Sequence, residues 1–525
     1  DKTLALTALQ PVVEVDNPLG EYPDRSWERV YHDQYRYDSS FTWCCSPNDT
    51  HACRIRAFVR NGVVMRVEQN YDHQTYEDLY GNRGTFAHNP RMCLKGFTFH
   101  RRVYGPYRLK GPLMRKGWKQ WMDDGSPELT SDAKRKYKFD SRFLDDMVRV
   151  SWDTAFTYVA KGLIVIGTRY SGEAGARRLR EQGYAPEMIE MMKGAGVRTF
   201  KHRAGMPILG MMGKHANTRF NNCVLPLLDS WIRKVNPDQA QGGRYWNNYT
   251  WHGDQDPSQP WWNGTQNCDV DLSDMRFTKL NTSWGKNFVE NKMPEAHWKL
   301  ESMERGARLV VITPEYNPTA SRADYWIPVR PETDGALFLG ASKIILDENY
   351  QDIDFIKGFT DMPLLVRTDT LQYLDPHEVL KDYRVPDFTK SYSGRVQGLT
   401  QDQVQRLGGM MVWDLAKGKA VPLHREQVGL HLAQSGIDPA LTGTYRIKLL
   451  NGREVDVMPI YQLYTIHLQD YDLDTVHQVN RSPKDLIVRW ARDCGTVKPA
   501  AIHNGEGVCH YFHMTSNGRA AALVM

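Results

Sequence analysis

The sequence predicts an α/β protein with doubly wound, nucleotide-binding-like domains and a small β-rich domain near the N-terminal end. Three observations predict this. From Met275 onward, short apolar runs alternate with helical patterns, the order of βαβ units. Two β-rich runs meet at Asn61-Gly62, the strongest short-range hairpin signal. The strand-like run Pro499-Ala500-Ala501-Ile502 enters the turn His503-Asn504-Gly505-Glu506-Gly507-Val508-Cys509-His510, a backbone geometry suited to cradling an anion.

A chain of 525 residues is too long for one core, so about two or three domains are expected. A hydrophobic content of 41% and a charged content of 25% fit an ordinary globular protein. The formal net charge of +5 is small for this length and argues against a nucleic-acid partner. No apolar run reaches the roughly 18 residues of a membrane span. The 15 Trp and 26 Tyr suit the packing of a large cofactor or a partner subunit. The first residue is Asp rather than Met, which is read as a trimmed or processed start. The eight Cys make no disulfide framework: four fall in one early stretch, and Cys223, Cys268, Cys494 and Cys509 are scattered.

In chain order, the first forty residues are broken by Pro11, Pro18, Gly20 and Pro23 and read as an irregular arm anchored by Trp27, Tyr31, Tyr35 and Tyr37. Next comes the cysteine stretch. Cys45, Asp49 and Cys53 stand four apart, and Cys93 closes the set. Thiolates at this spacing suit zinc or an iron–sulfur cluster, and a carboxylate is unusual for structural zinc. Spacing alone leaves cluster, zinc and plain buried thiols equally open. The hairpin over Arg54–Val67 puts this loop at its open end, and the polar residues 70–92 return the chain to Cys93 as a surface loop. Lys95, two residues on, would stabilise an anionic cluster or cofactor. The basic stretch from Arg101 to Trp121 is offset by Asp123, Asp124 and Glu128 and fits an anionic cofactor or solvation better than nucleic acid.

Ser151-Trp152-Asp153 opens a helix, with Ser151 or Asp153 as its cap. Val159 and Gly162–Gly167 then read as a buried strand, and residues 173–193 as a helix with Met188, Ile189, Met191 and Met192 toward a core. Residues 246–257, closed by Pro257, form a loop in which His252, Asp254 and Asp256 alternate. Met275–Asn281 reads as a strand, Thr282–Asn287 as a glycine-containing turn, Pro294–Arg305 as a helix, and Ala307–Ile312 as a buried strand. A strand over Asp324–Arg330 and a helix from Ala336 complete the unit, with ligands expected at the carboxyl ends of the strands. Glu315, at a strand end, suits a ribose diol. Residues 384–443 are polar and mixed, an insert or interdomain linker. Tyr445–Leu450 and Glu454–Val457 flank Asn451-Gly452 as a second hairpin. Ser482-Pro483-Lys484-Asp485 starts a helix that turns Ile487, Trp490 and Ala491 inward.

These pieces resemble the catalytic subunits of the dimethyl sulfoxide reductase family of molybdopterin oxidoreductases, in the branch of the respiratory nitrate reductases. Within that branch the chain is most similar to the nitrite-oxidising members from anammox bacteria. The resemblance covers nearly the whole chain and is weakest at 1–30 and 384–443. It implies a [4Fe–4S] cluster on Cys45, Asp49, Cys53 and Cys93, with Asp49 replacing the usual Cys as in the anammox group. Asn48 matches a position facing molybdenum, and Lys95 the basic residue between cluster and pterin. Asp254 matches the Asp ligand to molybdenum, within Asp-x-x-Pro-x-x-Pro-x-x-x-Gly-x-Gln, and His252 a neighbour of the metal. Trp284-Gly285-Lys286-Asn287, Thr313-Pro314-Glu315, Arg330 and Thr333-Asp334 match segments that hold a guanine dinucleotide tail. Gly505, Gly507 and His510 match the glycine turn at the other pterin.

The resemblance thus implies molybdenum in a bis-molybdopterin guanine dinucleotide, with Asn48, His252 and Asp254 at the reacting centre. The implied reaction is oxidation of nitrite to nitrate, with electrons leaving through the cluster to an iron–sulfur beta subunit and a haem gamma subunit beyond it. Reduction of nitrate, chlorate, perchlorate or selenate, hydrocarbon oxidation, and an inactive electron-transfer or scaffold subunit are the alternatives. The expected divisions are 1–125 (arm and iron–sulfur domain), 126–383 (α/β domain with the molybdenum ligand), 384–443 (insert) and 444–525 (start of a second α/β pterin domain). Family subunits continue well past the position of Met525, so the C-terminal part of the fold is expected to be missing. Relatives facing the periplasm carry a twin-arginine signal, and the anammox group points to the lumen of the anammoxosome; a cytoplasmic location stays open.

Overall fold

A computed structural model describes residues 26–45, 53–70, 91–141, 144–204, 216, 218–247, 272–386 and 399–525. The chain divides into two compact units, one of residues 1–251 with 291–297, the other of 252–290 with 298–525.

The first unit opens on a helix, α1 (Ser26–Tyr35), where an irregular arm was expected. The prolines that suggested irregularity all precede it. Strands β1 (Ser39–Cys45), β2 (Cys53–Arg60) and β3 (Val63–Gln69) form an antiparallel sheet in that order. Alternation builds it: Ile55, Ala57 and Val67 are buried on one face with Cys45, Cys53 and Met92. Asn61 (φ 51°) and Gly62 (φ 76°) both take positive φ, the left-handed pair that matches strand twist in a two-residue hairpin. Of the aromatic anchors of the N-terminal region, Tyr35 and Tyr37 find a partner in Arg66. The Arg66 guanidinium lies 3.8 Å from the Phe58 ring centroid and 5.0 Å from that of Tyr35.

Further along, α2 (Trp152–Arg169) is capped by Ser151, whose Oγ accepts from the Thr154 N–H at 3.1 Å. The helix continues through Val159–Gly167, which corrects the buried strand expected there. A short all-apolar run fits either element, and the cap upstream decides. The glycines supply close approach: a Cβ at Gly167 would stand 2.8 Å from Ile232 Cδ1. The single helix expected over 173–193 is two, Gly172–Glu181 and Pro186–Glu190, parted by Gly183 at φ 82°. Met192 alone of its methionines is buried; Met188 and Met191 are exposed.

The second unit is built on a four-stranded parallel sheet. Its strands are β4 (Leu280–Trp284), β5 (Arg308–Thr313), β6 (Tyr325–Pro328) and β7 (Ala500–Asn504), ordered β6-β5-β4-β7. β4 starts five residues later than the sequence suggested, after a tight helical turn at Leu272–Phe277, and absorbs Thr282–Trp284 from the expected turn. Its polar residues hid it. Each is fully buried and paired: Asn281 Nδ2 donates to Ser302 Oγ at 2.8 Å, Thr282 Oγ1 accepts from Trp490 Nε1 at 3.0 Å, and Ser283 Oγ accepts from Lys299 Nζ at 2.6 Å.

Helices α3 (Met293–Glu304), α4 (Asp334–Asp347), α5 (Lys484–Thr496) and α6 (Met514–Val524) follow the alternating pattern. Residues 291–297, at the start of α3, belong to the first unit. Leu337, Phe338, Ile487, Trp490 and Ala491 are buried in one core with Trp284. Phe338 stands edge-on to Trp284 at 4.6 Å and to Trp490 at 5.3 Å. Ser482 does not cap α5; Pro483 holds that position, and Ser482 Oγ donates instead to Pro328 O at 2.6 Å. Between these helices a hairpin pairs Gly409–Asp414 with Lys419–His424, and Tyr445–Lys448 pairs with Glu454–Pro459 as expected. Among the described residues no helix is long and apolar enough to cross a membrane.

Candidate cofactor sites

The first site lies in the first unit, at the open end of its hairpin sheet. Cys45 ends β1, Cys53 begins β2, and the two are direct register partners. Both side chains are 5% exposed. Cys93 precedes a one-turn helix, Leu94–Phe97, in which a Cβ on Gly96 would stand 3.7 Å from Cys45 Sγ. Two hydrogen bonds tie this return segment down: Met92 N donates to Gln69 Oε1 at 2.6 Å, and Arg91 N donates to Pro294 O at 2.8 Å. Burial pushes the Cys53 thiol up to about 12, helped by the charges of Cys45, Cys93 and Glu295.

Two buried thiols, Cys45 and Cys53, and the half-buried Cys93 thus lie near enough for their charges to act on one another. A bound metal would compensate that repulsion, and thiol donors of this kind suit zinc or an iron–sulfur cluster. Among the described residues no three His, Cys, Asp or Glu side chains close around a single ion. Lys95 is exposed on the short helix. Asn48, Asp49, His252 and Asp254 lie outside the described residues.

The second site lies in the second unit, at the carboxyl ends of its strands. The chain runs from β4 outward to β5 and β6, while β7 adds to the opposite side of β4. The boundary between β4 and β7 is thus a topological switch point, where open α/β sheets bind ligands. The turn 285–287 follows β4 and the turn 505–507 follows β7. They touch: Gly505 N donates to Trp284 O at 2.7 Å, and a Cβ on Gly505 would fall 2.2 Å from Gly285 O. Gly285 itself has φ 59°, and its added Cβ would strike Val508. Asn287 Oδ1 accepts from Thr319 Oγ1 at 2.9 Å, which fixes the end of the first turn.

The remaining residues singled out in the sequence divide by burial. Trp284 and Asp334 meet inside the core, where Trp284 Nε1 donates to Asp334 Oδ1 at 2.7 Å. Burial raises the Asp334 carboxyl above its usual range. Thr313 is buried, and its hydroxyl donates to Glu315 O at 2.7 Å, while Pro314 and Glu315 are exposed after β5. Arg330 is exposed, and Thr333 Oγ1 donates to its carbonyl at 2.7 Å. Gly507 and His510 are exposed in the short helical turn after β7.

Lys299 and His503 stand beside these turns with Lys286, and neither was singled out as a site residue in the sequence. Lys299 on α3 is 2% exposed, and its Nζ lies 4.1 Å from the Phe288 ring centroid. Lys286 Nζ faces the same ring at 5.6 Å, and the His503 ring centroid stands 6.0 Å from it. His503 is also the register partner of Ser283, which binds Lys299. A lysine in a helix reads as a solvated residue. The signal for Lys299 was its spacing on the inward stripe with Glu295, Ala296, Trp298 and Ser302.

The sequence profile described as Molybdopterin oxidoreductase matches residues 108–524. The perchlorate reductase subunit alpha of Dechloromonas aromatica is 26% identical over 512 residues, covering 96% of this chain and 47% of its own. The respiratory nitrate reductase subunit alpha of Haloferax mediterranei is 26% identical, covering 100% of this chain and 45% of its own. The chlorate reductase subunit alpha of Ideonella dechloratans is 27% identical, covering 99% and 46%. The chain spans less than half the length of these relatives. Among solved structures, acetylene hydratase from Pelobacter acetylenicus aligns with 92% of this chain and 42% of its own at 14% identity and a TM-score of 0.41, too low to add to the assignment. With four-fifths of its length inside that one profile, the chain belongs to the molybdopterin oxidoreductase family.

Proposed function

We propose that this chain belongs to a molybdenum-dependent catalytic subunit that oxidises nitrite to nitrate, of the anammox type within the nitrate reductase branch. The observation that carries the reading is the pair of sites themselves: paired thiols at the open end of a hairpin, and paired glycine turns at a sheet switch point. Full-length relatives named as nitrate, perchlorate and chlorate reductase subunits support oxyanion chemistry. Bound molybdenum in its two pterin guanine dinucleotides would supply two-electron oxygen-atom transfer, and a [4Fe–4S] cluster would supply one-electron exit to an iron–sulfur partner and a haem subunit.

The chain's own residues have four tasks. Cys45, Cys53 and Cys93, with Asp49, hold the cluster, and Lys95 offsets its negative charge. Gly285 and Gly505 let backbone approach the dinucleotide where a side chain would block it. Trp284 and Asp334 brace the end of β4 from inside the core. Asp254 holds molybdenum, while Asn48 and His252 orient the oxyanion. Nitrate, chlorate or perchlorate reduction by the same residues is the second reading, favoured by the named relatives.

The test uses the full-length protein with nitrite and a high-potential acceptor, set against nitrate or chlorate and a low-potential donor. Nitrite oxidation is expected to be the faster, and Asp254→Ala is expected to abolish it at equal protein. Fast oxyanion reduction with negligible nitrite oxidation would reject the direction proposed. Unchanged turnover in Asp254→Ala would remove that residue from the centre.

A further inference from the structure

The second unit holds a charge that its own fold does not explain. Lys299 is 2% exposed, yet no carboxylate among the described residues pairs with it; its Nζ meets the Ser283 hydroxyl and the face of Phe288. Burying an ammonium opposes folding unless an anion compensates. The surroundings are basic rather than acidic. Lys286 lies across the same ring, and His503 stands beside it on the neighbouring strand. Desolvation holds Lys299 well below the ordinary lysine value, with Lys286 adding to the effect; desolvation, Lys299 and Lys286 do the same to the His503 imidazole. His503 Nδ1 is buried with no hydrogen-bond partner among the described residues.

Position gives the cluster its meaning. Ser283 and His503 are register partners one residue before the ends of β4 and β7. These are the two strands that flank the switch point, and the glycine turns 285–287 and 505–507 begin directly after them. The three basic side chains thus lie next to the two strand ends from which the turns start.

We propose that Lys299, with His503 and Lys286, forms a buried basic floor that binds the pyrophosphate of the cofactor's dinucleotide. The inference rests on the cofactor reading above. It assigns Lys299 and His503 a binding task that the glycine turns do not perform. The turns admit phosphate by leaving space, whereas the floor neutralises its charge. Burial alone favours the neutral amine of Lys299, and the bound pyrophosphate supplies the counter-charge that favours the ammonium.

The test compares full-length wild type with Lys299→Met, which keeps length and apolar packing and removes the charge. Guanine nucleotide released by acid from the purified protein is expected to fall at least about tenfold in the variant, the scale on which losing a supporting contact weakens a bound group. The cofactor-free variant is expected to melt at the same temperature as cofactor-free wild type or higher, because a buried charge has gone. Inorganic pyrophosphate is expected to raise the melting temperature of cofactor-free wild type and not of the variant. Wild-type nucleotide content in Lys299→Met overturns the proposal. So does nucleotide loss together with a lower cofactor-free melting temperature, which makes Lys299 a packing residue.

If Lys299→Met does not fold, His503→Leu carries the test: nucleotide content and the pyrophosphate response should both fall, and no change in either overturns the proposal. The two readings separate cleanly. A wild type without guanine nucleotide that still responds to pyrophosphate sinks the cofactor and keeps the floor. A loaded wild type with an equally loaded variant sinks the floor and keeps the cofactor.

Discussion

Trp490→Ala is expected to destabilise the second unit by about 3–5 kcal/mol, the usual range for deleting a buried tryptophan. Trp490 is fully buried and stands edge-on to Phe338, which in turn stands edge-on to Trp284 at the end of β4. Its indole N–H also satisfies Thr282 Oγ1 inside β4, so truncation leaves a buried hydroxyl unpaired, a further loss of about 1–3 kcal/mol. Because β4 carries Gly285 at its end, the loss should reach the cofactor turns. Denaturant unfolding of the full-length protein checks it. Trp152→Ala is the control: that residue is 64% exposed, and a change within about 0.5 kcal/mol is expected. Equal effects from the two tryptophans would contradict the core described.

Cys53→Ser is expected to remove most of the cluster iron, about tenfold per chain, while leaving the hairpin folded. The side chains are nearly isosteric, and Cys53 sits in the sheet opposite Cys45, where backbone pairing persists. What changes is the ligand: a thiolate binds iron firmly, and a serine hydroxyl replaces it poorly. Iron content and the visible absorption of the cluster read the loss, and far-ultraviolet circular dichroism reads the fold. Wild-type iron in the variant would exclude Cys53 as a ligand. Loss of fold along with iron would make it a packing residue instead.

Much of this was legible in the chain because local chemistry and global fold agree. Asn61-Gly62 declares its hairpin by the conformations it alone accepts comfortably, and it places the thiols correctly at the open end. Ile487, Trp490 and Ala491 repeat at helical spacing and are buried. Other elements were illegible for physical reasons. Gly162–Gly167 is an unbroken apolar run, and only the distant Ser151 cap shows that it is helical. Asn281, Thr282 and Ser283 look like a turn because their partners, Ser302, Trp490 and Lys299, lie far along the chain or on a facing helix. Lys299 was missed for the same reason. A lysine counts as solvated until the fold closes over it. Asn48 comes only from the family pattern; Asp49 stands out by its spacing with Cys45 and Cys53, and His252 and Asp254 by alternating along one loop, but the roles assigned to them come from the resemblance.

The most direct test of the central claim is elemental analysis of the full-length protein, purified without its partners and compared with Asp254→Ala. The account predicts about one molybdenum and about four iron atoms per wild-type chain, with molybdenum lowered in Asp254→Ala and iron unchanged. A folded wild-type protein that carries iron but no molybdenum would contradict it.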